Sequence, residues 1–134
     1  MITQPASETR AVDSLSAHEF RLEINGQPVD GIFSVQGLTT LSLEQERPPL
    51  VISKMVQQDP TKPFNHWIQE SQAGGKPIRD VAIVAMDEGK ETRRWVYRSA
   101  YIVSISYSDF DTSSGELVEE RVAIRAQSVE VVWP

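Results

Sequence analysis

The sequence predicts a mainly β protein, a compact barrel or sandwich of seven or eight strands with one helix on an opening. Most of the chain alternates apolar and polar residues with a period of two, as half-buried strands do. Turn-forming residues separate the alternating runs, and one segment alone has its apolar residues at helical spacing. With 134 residues, the chain is expected to form one domain around a single core.

The first alternating run begins at His18, after a polar and nearly aperiodic stretch over residues 1–17. Such a stretch predicts a flexible N-terminal arm, which orders only against a partner or not at all. The folded domain is therefore assigned to residues 18–134. In its first strand the apolar face consists of Phe20, Leu22 and Ile24. The pair Asn25-Gly26 favours a tight hairpin turn, with residues 29–35 as the partner strand.

Gly37 ends this partner strand, and Leu41 and Leu43 then alternate with polar residues. The pair Pro48-Pro49 indicates a loop or a sheet edge, because proline cannot donate a hydrogen bond to a neighbouring strand. Residues 50–56 are short and β-prone, which predicts the next strand.

One helix is predicted between the strands. Its apolar face has the spacing i, i+3, i+4 and i+7, at Phe64, Trp67, Ile68 and Ser71. Thr61 is the expected N-cap, Pro63 is tolerated in the first turn, and Gly74-Gly75 suits the C-terminal stop. Trp67 is interpreted as a core anchor that seals one end of the barrel, with ligand stacking as the alternative.

Three further strands complete the predicted fold. Residues 78–86 are apolar on both faces apart from Arg79 and Asp80, so both faces should be covered. A turn at residues 87–90 leads into a long strand over residues 92–107. In the last strand, residues 117–133, the apolar phase changes near Ser128, which predicts a bulge or a crossing between sheets.

The C-terminal strand stays apolar as far as Trp133. A bare apolar strand at a sheet edge would pair with other chains and aggregate. We therefore expect this strand to be buried in an oligomer.

Composition excludes several classes of function. The net charge of −6 argues against a nucleic-acid-binding surface, and the only basic doublet, Arg93-Arg94, is interpreted as a solvated strand end. The absence of cysteine excludes disulfides and thiolate zinc sites. No apolar run reaches the roughly 20 residues that span a bilayer. The N-terminus lacks the regions of a signal peptide, which predicts synthesis in the cytoplasm.

No catalytic, cofactor-binding or metal-binding residue is predicted, and the protein is not expected to be an enzyme. Its two histidines are separated: His18 opens a strand, and His66 lies off the apolar face of the helix. No G-x-S-x-G elbow is present. The segment Gly74-Gly75-Lys76 lacks the upstream glycine and the following Ser or Thr of a phosphate-binding loop.

Short motifs follow one another in the order and spacing of a known family. Residues 20–26 (FRLEING) are similar to its F-x-V-x-I-x-G strand, residues 29–38 (VDGIFSVQGL) to its F-x-x-V-S-G-L strand, and residues 64–68 (FNHWI) to its F-x-x-W-I helix. Residues 79–83 (RDVAI) are similar to the K/R-D-I-x-I strand. Residues 95–102 are similar to W-x-x-x-x-A-x-P, with Ile102 for proline, and residues 108–116 to S-x-x-x-D-A-S-S-N-E, with Gly115 for asparagine.

Over residues 18–131, the chain thus resembles the phage tail tube protein family, the inner-tube subunits of contractile phage tails and of phage-tail-like contractile injection systems. The resemblance implies two orthogonally packed antiparallel sheets, forming a barrel-like sandwich with one helix at the rim. It also implies homo-hexameric rings that stack into a conduit, because joining copies edge to edge removes free sheet edges. The acidic composition would suit such a conduit if the lumen were negative and repelled DNA or acidic cargo.

The resemblance further implies sheath, baseplate or tube-initiator, and tape-measure proteins as partners. DNA or effector cargo would pass through the lumen without specific binding, and no membrane would be involved. The protein would be made in the bacterial cytoplasm and incorporated in a virion tail or in a secreted particle.

One departure from the family lies at residues 46–50, where members usually carry a long glycine-containing loop that packs against neighbouring subunits. The shortened loop leaves room for a tube-initiating or baseplate ring protein of the same fold. A monomeric ligand-binding β-barrel is the third alternative, and it would need an apolar interior pocket and no exposed edges.

Overall fold

The structure is a computed structural model, and it describes residues 13–134. Most of the predicted arm lies outside the described residues, so the arm stays a prediction. The described part contains one helix and eight strands: β1 Phe20–Ile24, β2 Gln27–Val29, β3 Ile32–Gln36, β4 Leu50–Met55, α1 Pro63–Gln72, β5 Arg79–Asp87, β6 Lys90–Tyr107, β7 Glu119–Arg125 and β8 Ser128–Val132. The predicted mainly β class with one helix is confirmed.

The strands form one antiparallel sheet in the order β2-β1-β5-β6-β7-β4-β3, with β8 also paired to β6. The 18-residue β6 joins two halves, because β5 pairs with its residues 90–100 and β7 with its residues 101–107. We call β2, β1, β5, the first part of β6 and β8 sheet A. We call β3, β4, β7 and residues 101–107 of β6 sheet B. The end strands β2 and β3 do not pair with each other, so the sheet is barrel-like but not closed into a barrel.

Sheets A and B and the helix bury their apolar faces in one core. Its fully buried members include Leu22 and Val81 from sheet A, Ile52 and Ile124 from sheet B, and Trp67 from α1. Such packing of a sheet against a second layer is how a strand with one apolar face is stabilised.

The hairpin turn at Asn25-Gly26 is confirmed, because both residues have positive φ angles, of 49° and 81°. The prediction of a single partner strand over residues 29–35 is wrong in one respect, because this segment belongs to two strands, β2 and β3. β2 pairs with β1, whereas β3 pairs with β4. The break is at Gly31, where φ is +76° and a Cβ atom would lie 2.8 Å from Gln57 Nε2. The chain crosses from sheet A to sheet B at this glycine.

The loop between β3 and β4, residues 37–49, contains the alternating Leu41 and Leu43, whose side chains are 73% and 88% exposed. It begins at Gly37, where φ is +84° and a Cβ atom would lie 2.6 Å from the carbonyl oxygen of Pro49. The two ends of the loop therefore approach each other closely.

The predicted helix is confirmed, but its predicted N-cap is wrong. Lys62 occupies the N-cap position and its side chain makes no capping hydrogen bond. Thr61 instead donates from its hydroxyl to Asp59 Oδ1 at 2.7 Å, so this side chain is engaged before the helix begins. The C-terminal stop is confirmed by Gly74, which has a φ of 97°.

The change of apolar phase near Ser128 is confirmed as a crossing between sheets. β7 pairs with β4 and with the second part of β6, whereas β8 pairs with the first part of β6. At the crossing, Gln127 N donates to Arg98 O at 3.0 Å, which continues the ladder along the same side of β6. β6 bends at this level, where Ser99 has a φ of 52°.

Candidate assembly surfaces

Trp67 is a core residue, as predicted. Its side chain is fully buried, its ring centroid lies 5.9 Å from that of Phe64, and Nε1 donates to Pro77 O at 2.9 Å. Its neighbour His66 points away from the core and pairs with Glu70, at 2.9 Å between Nδ1 and Oε1. In residues 13–134, no three His, Cys, Asp or Glu side chains are grouped so that they could hold a metal ion.

A buried polar network inside sheet B was missed at the level of sequence. Lys54 has no exposed side-chain area, and its Nζ donates to Glu120 Oε1 at 2.9 Å and to Asn65 Oδ1 at 3.2 Å. Tyr107 donates to the other oxygen of Glu120 at 2.7 Å, and this contact with a carboxylate raises the pKa of Tyr107 to about 12. The network joins β4, β6 and β7 to the helix, so it positions elements and leaves no free reactive group.

The outer face of sheet A is covered by ion pairs. Glu23 on β1 accepts from Arg94 at 2.7 Å and from Arg21 at 2.9 Å, and Arg94 also contacts Glu91 at 2.7 Å. Hydrogen bonds from Arg94 first of all, and from Arg21, hold the pKa of Glu23 below its usual range. Beneath these side chains lies a small second cluster of buried residues: Ala82, Val84 and Val96. The charged groups therefore shield apolar surface from water.

A second group of charges fixes the bend in β6. Asp80 accepts from the backbone N–H of Ser99 at 3.0 Å and from Arg98 at 3.0 Å, while Arg98 also pairs with Glu130 on β8 at 2.8 Å. The Ser99 N–H and then the Arg98 guanidinium lower the pKa of Asp80. The outer face of sheet A is thus crossed by ion pairs and nearly balanced in charge.

The outer face of sheet B has a different character, because it carries small side chains and hydroxyl groups. Arg121 and Arg125 point outward from β7, and they contact Glu119 at 3.3 Å and Glu46 at 3.4 Å. The ladder registers place the following residues on the same face: Ser34, Gln36, Val51, Ser53, Ser104, Ser106 and Ala123.

The C-terminal strand remains exposed in the single chain. β8 pairs with β6 on one side, and Trp133 beyond it is 67% exposed. Arg93 stacks on Trp133, with its guanidinium carbon 3.6 Å from the ring centroid. The prediction that Arg93-Arg94 is a solvated strand end is wrong, since Arg94 is held by Glu23 and Glu91. Burial of β8 in an oligomer stays a prediction.

Further apolar surface lies along the seam where β3 diverges from sheet A. A cavity of about 450 Å³ opens there, and its apolar lining includes Leu15, Phe20, Phe33, Leu38 and Trp95. The loop after β6 also exposes Phe110 and Leu117, by 81% and 68%. Exposed apolar surface of this kind commonly marks sites of protein association.

Comparison with known proteins identifies the class to which this open two-sheet fold belongs. A family model described as T4-like virus tail tube protein gp19 matches residues 39–130. The match spans more than half of the 134-residue chain, so the chain belongs to this tail tube family. The resemblance seen in the sequence motifs is confirmed.

Solved structures with the same fold come from contractile injection systems. A chain of the sheath-tube complex of the PVC extracellular contractile injection system, in the extended state, has a TM-score of 0.73 and 14% identity, over 98% of this chain and 100% of that one. The tube terminating cap of the anti-feeding prophage has a TM-score of 0.72 and 19% identity, over 90% and 92%. A chain of the baseplate of the anti-feeding prophage has a TM-score of 0.68 and 16% identity, over 98% of both chains. At these identities, the similarity shows the fold alone. None of the curated proteins matches the chain.

Proposed function

We propose that the protein is a structural, non-enzymatic subunit of the inner tube of a contractile phage tail or phage-tail-like injection system. In this proposal six copies form a ring, and stacked rings form a conduit for DNA or effector cargo. Membership of the tail tube family, over residues 39–130, is the observation that carries the proposal. The free edges of an unclosed sheet support self-association, since such edges readily pair with another chain.

The partners follow from the same reasoning. Similarity to chains of a sheath-tube complex, a baseplate and a tube terminating cap supports sheath and baseplate proteins as partners. Tube-initiator and tape-measure proteins are further proposed partners. The protein would be made in the bacterial cytoplasm and incorporated in a virion tail or a secreted particle. No helix within residues 13–134 is long and apolar enough to cross a membrane.

A tube-initiating or baseplate ring of the same fold is the second candidate. The observation that favours it is the shortened loop at residues 46–50, where the family resemblance implies a longer loop that contacts neighbouring subunits. Less area for stacking would favour a ring that ends or begins a tube.

Electron microscopy and native mass spectrometry of the concentrated protein test the proposal. Six-fold rings or stacked tubes are expected for an inner-tube subunit, and single rings that stack only on a partner are expected for an initiator. A stable monomer at high concentration, with a small apolar ligand in the seam between β3 and sheet A, would instead support the ligand-binding barrel and would overturn both assembly proposals.

A further inference from the structure

The inward-facing residues of β4 and β7 face one another in three rows: Leu50 opposite Ile124, Ile52 opposite Val122, and Lys54 opposite Glu120. The first two rows consist of fully buried apolar side chains. The third, which we call the charged row, pairs a fully buried ammonium group with a carboxylate whose side chain is 8% exposed. A buried ion pair therefore lies at one end of an otherwise apolar contact between two strands.

The apolar rows do not by themselves specify this register. Because side chains alternate with a period of two, a slip of β4 by two residues keeps the same side chains inward. One such slip would place Ile52 opposite Ile124, and the reverse slip would place Leu50 opposite Val122. The displacement is about 7 Å, and the loops that flank β4 are long enough to follow it. Apolar contact would thus persist in either slipped register.

The charged row, by contrast, requires the observed register. After a slip, Lys54 would lie opposite a valine, Val122 in one direction and Val118 in the other. Its ammonium group would then be buried without a counter-ion, and a buried charge that loses its partner is strongly unfavourable. The charged row therefore penalises both slips that the apolar rows tolerate.

Other hydrogen bonds to the charged row depend on the same alignment. Lys54 Nζ donates to Asn65 Oδ1 on α1 at 3.2 Å and to Met55 O at 3.0 Å, besides Glu120 at 2.9 Å, so its three protons meet three acceptors. Tyr107 of β6 lies opposite Glu120 in the ladder and donates to it at 2.7 Å. The helix and three strands of sheet B therefore meet at one ion pair.

We propose that the Lys54–Glu120 pair fixes the register of β4 against β7, and that it does this by excluding the slipped registers and not by adding stability. A desolvated ion pair gains little net stability over apolar side chains of similar volume, because the loss of hydration offsets the attraction. The exclusion matters for a chain that associates with its own copies. β3 is paired with β4 and would move with it, so a slip would change the surface that a copy presents.

Replacing both members of the pair separates register from stability. Lys54→Met with Glu120→Leu keeps the volume of the row and removes both charges, so its midpoint of urea denaturation should stay close to that of the unsubstituted protein. Each single variant leaves one buried charge without its partner and should lower the midpoint much further. A double variant that loses as much as the two single variants combined would contradict the proposal.

Cysteine pairs report the register, because the chain has no cysteine of its own. Val51→Cys with Ala123→Cys joins residues that lie opposite each other in the observed register. Val51→Cys with Arg121→Cys, and Ser53→Cys with Ala123→Cys, would be opposite only after a slip in one direction or the other. In the observed register these two pairs are diagonal neighbours, roughly 7–8 Å apart, which is too far for a disulfide.

Under mild oxidation, mass spectrometry of the single chain should find only the Val51–Ala123 cross-link when the ion pair is intact. With Lys54→Met and Glu120→Leu in the same chain, the two slipped pairs should also close. The matched control makes the same substitutions at a surface ion pair, Arg98→Met with Glu130→Leu, whose side chains are 45% and 51% exposed. The slipped pairs should remain open in this control.

Slipped pairs that stay open without the buried charges, while the Val51–Ala123 pair closes, would show that apolar packing alone sets the register and would overturn the proposal. If Lys54→Met with Glu120→Leu does not fold by circular dichroism, Lys54→Met with Glu120→Gln repeats the test and keeps an acceptor for Tyr107. Failure of both to fold would show that the pair is needed for stability itself and would equally overturn the proposal. These readouts concern one chain, so an absence of rings, which would refute the proposed function, leaves them unchanged.

Discussion

Trp67 shows how one residue can hold several parts of this fold. It packs on Phe64 within the helix, and its indole N–H satisfies the carbonyl of Pro77 just before β5. The helical spacing of apolar residues was enough to predict this anchor.

The burial of Lys54 and Glu120 was not predicted, although the sequence contains a signal for it. Each residue falls in line with the apolar, inward-facing residues of its own strand: Leu50 and Ile52 for Lys54 on β4, and Val122 and Ile124 for Glu120 on β7. A charged side chain at an inward-facing position of a strand needs a buried partner of opposite charge.

Trp67→Ala should lower the free energy of unfolding by about 3–5 kcal/mol, as expected for a large aromatic residue in a core. The matched control is His66→Ala, at the helix position that precedes Trp67. Its ring is 61% exposed and its ion pair with Glu70 is at the surface, so the change should be small. Urea denaturation followed by fluorescence or circular dichroism would measure both. Equal losses in the two variants would contradict the assignment of Trp67 as the anchor of the helix.

At the scale of elements, alternation located most strands because each has one buried and one exposed face. It could not locate the break at Gly31. Val29, Phe33 and Val35 keep a period of two in the sequence, whereas in the structure Ile32 packs on the core and Phe33 is exposed. Pairing with β1 or β4 depends on residues distant in the sequence, and local periodicity carries no information about it. The crossing of the chain from sheet B at β7 to sheet A at β8 was predictable, because the alternation of apolar and polar residues changes phase at that point.

The ion pairs that join β1 to β6 across β5 give a prediction at this scale. Glu23→Gln should cost about 1–2 kcal/mol at pH 7, since it removes a charged acceptor from Arg94 and Arg21. The pKa of Glu23 is lowered by folding from its usual 4.5, so its contribution is present above that pH and is lost as pH falls through the lower folded value. The difference in stability between the two proteins should therefore shrink towards pH 3.

Denaturation with urea at pH 7 and at pH 3 would measure that difference. Glu44→Gln, an exposed carboxylate in the loop after β3, is the control and should change stability little at either pH. A gap between Glu23→Gln and the unsubstituted protein that stayed constant with pH would show that the carboxylate charge is not what stabilises this face.

At the scale of the whole molecule, free edges and exposed apolar residues indicate that the single chain is an incomplete unit. Pairing of free sheet edges between copies would complete a ring, but it would not hold one ring on another. Stacking needs separate contact area, and an interface below about 1,000 Å² is usually weak or transient. With the loop at residues 46–50 shortened, we propose that the arm at residues 1–17 supplies much of the ring-to-ring contact. The turn between β5 and β6 is the alternative.

Deleting residues 2–12 should leave the fold intact, since the core of the part that the structure describes begins at Leu22, but should give single rings in place of stacked tubes. Circular dichroism would check the fold, and electron microscopy would compare tube lengths at equal protein concentration. The control is Lys90→Ala in the first residue of β6, next to the turn between β5 and β6, an exposed position whose substitution should leave stacking unchanged. Tubes of normal length from the deleted protein, together with shortened tubes from Lys90→Ala, would assign ring-to-ring contact to the turn and not to the arm.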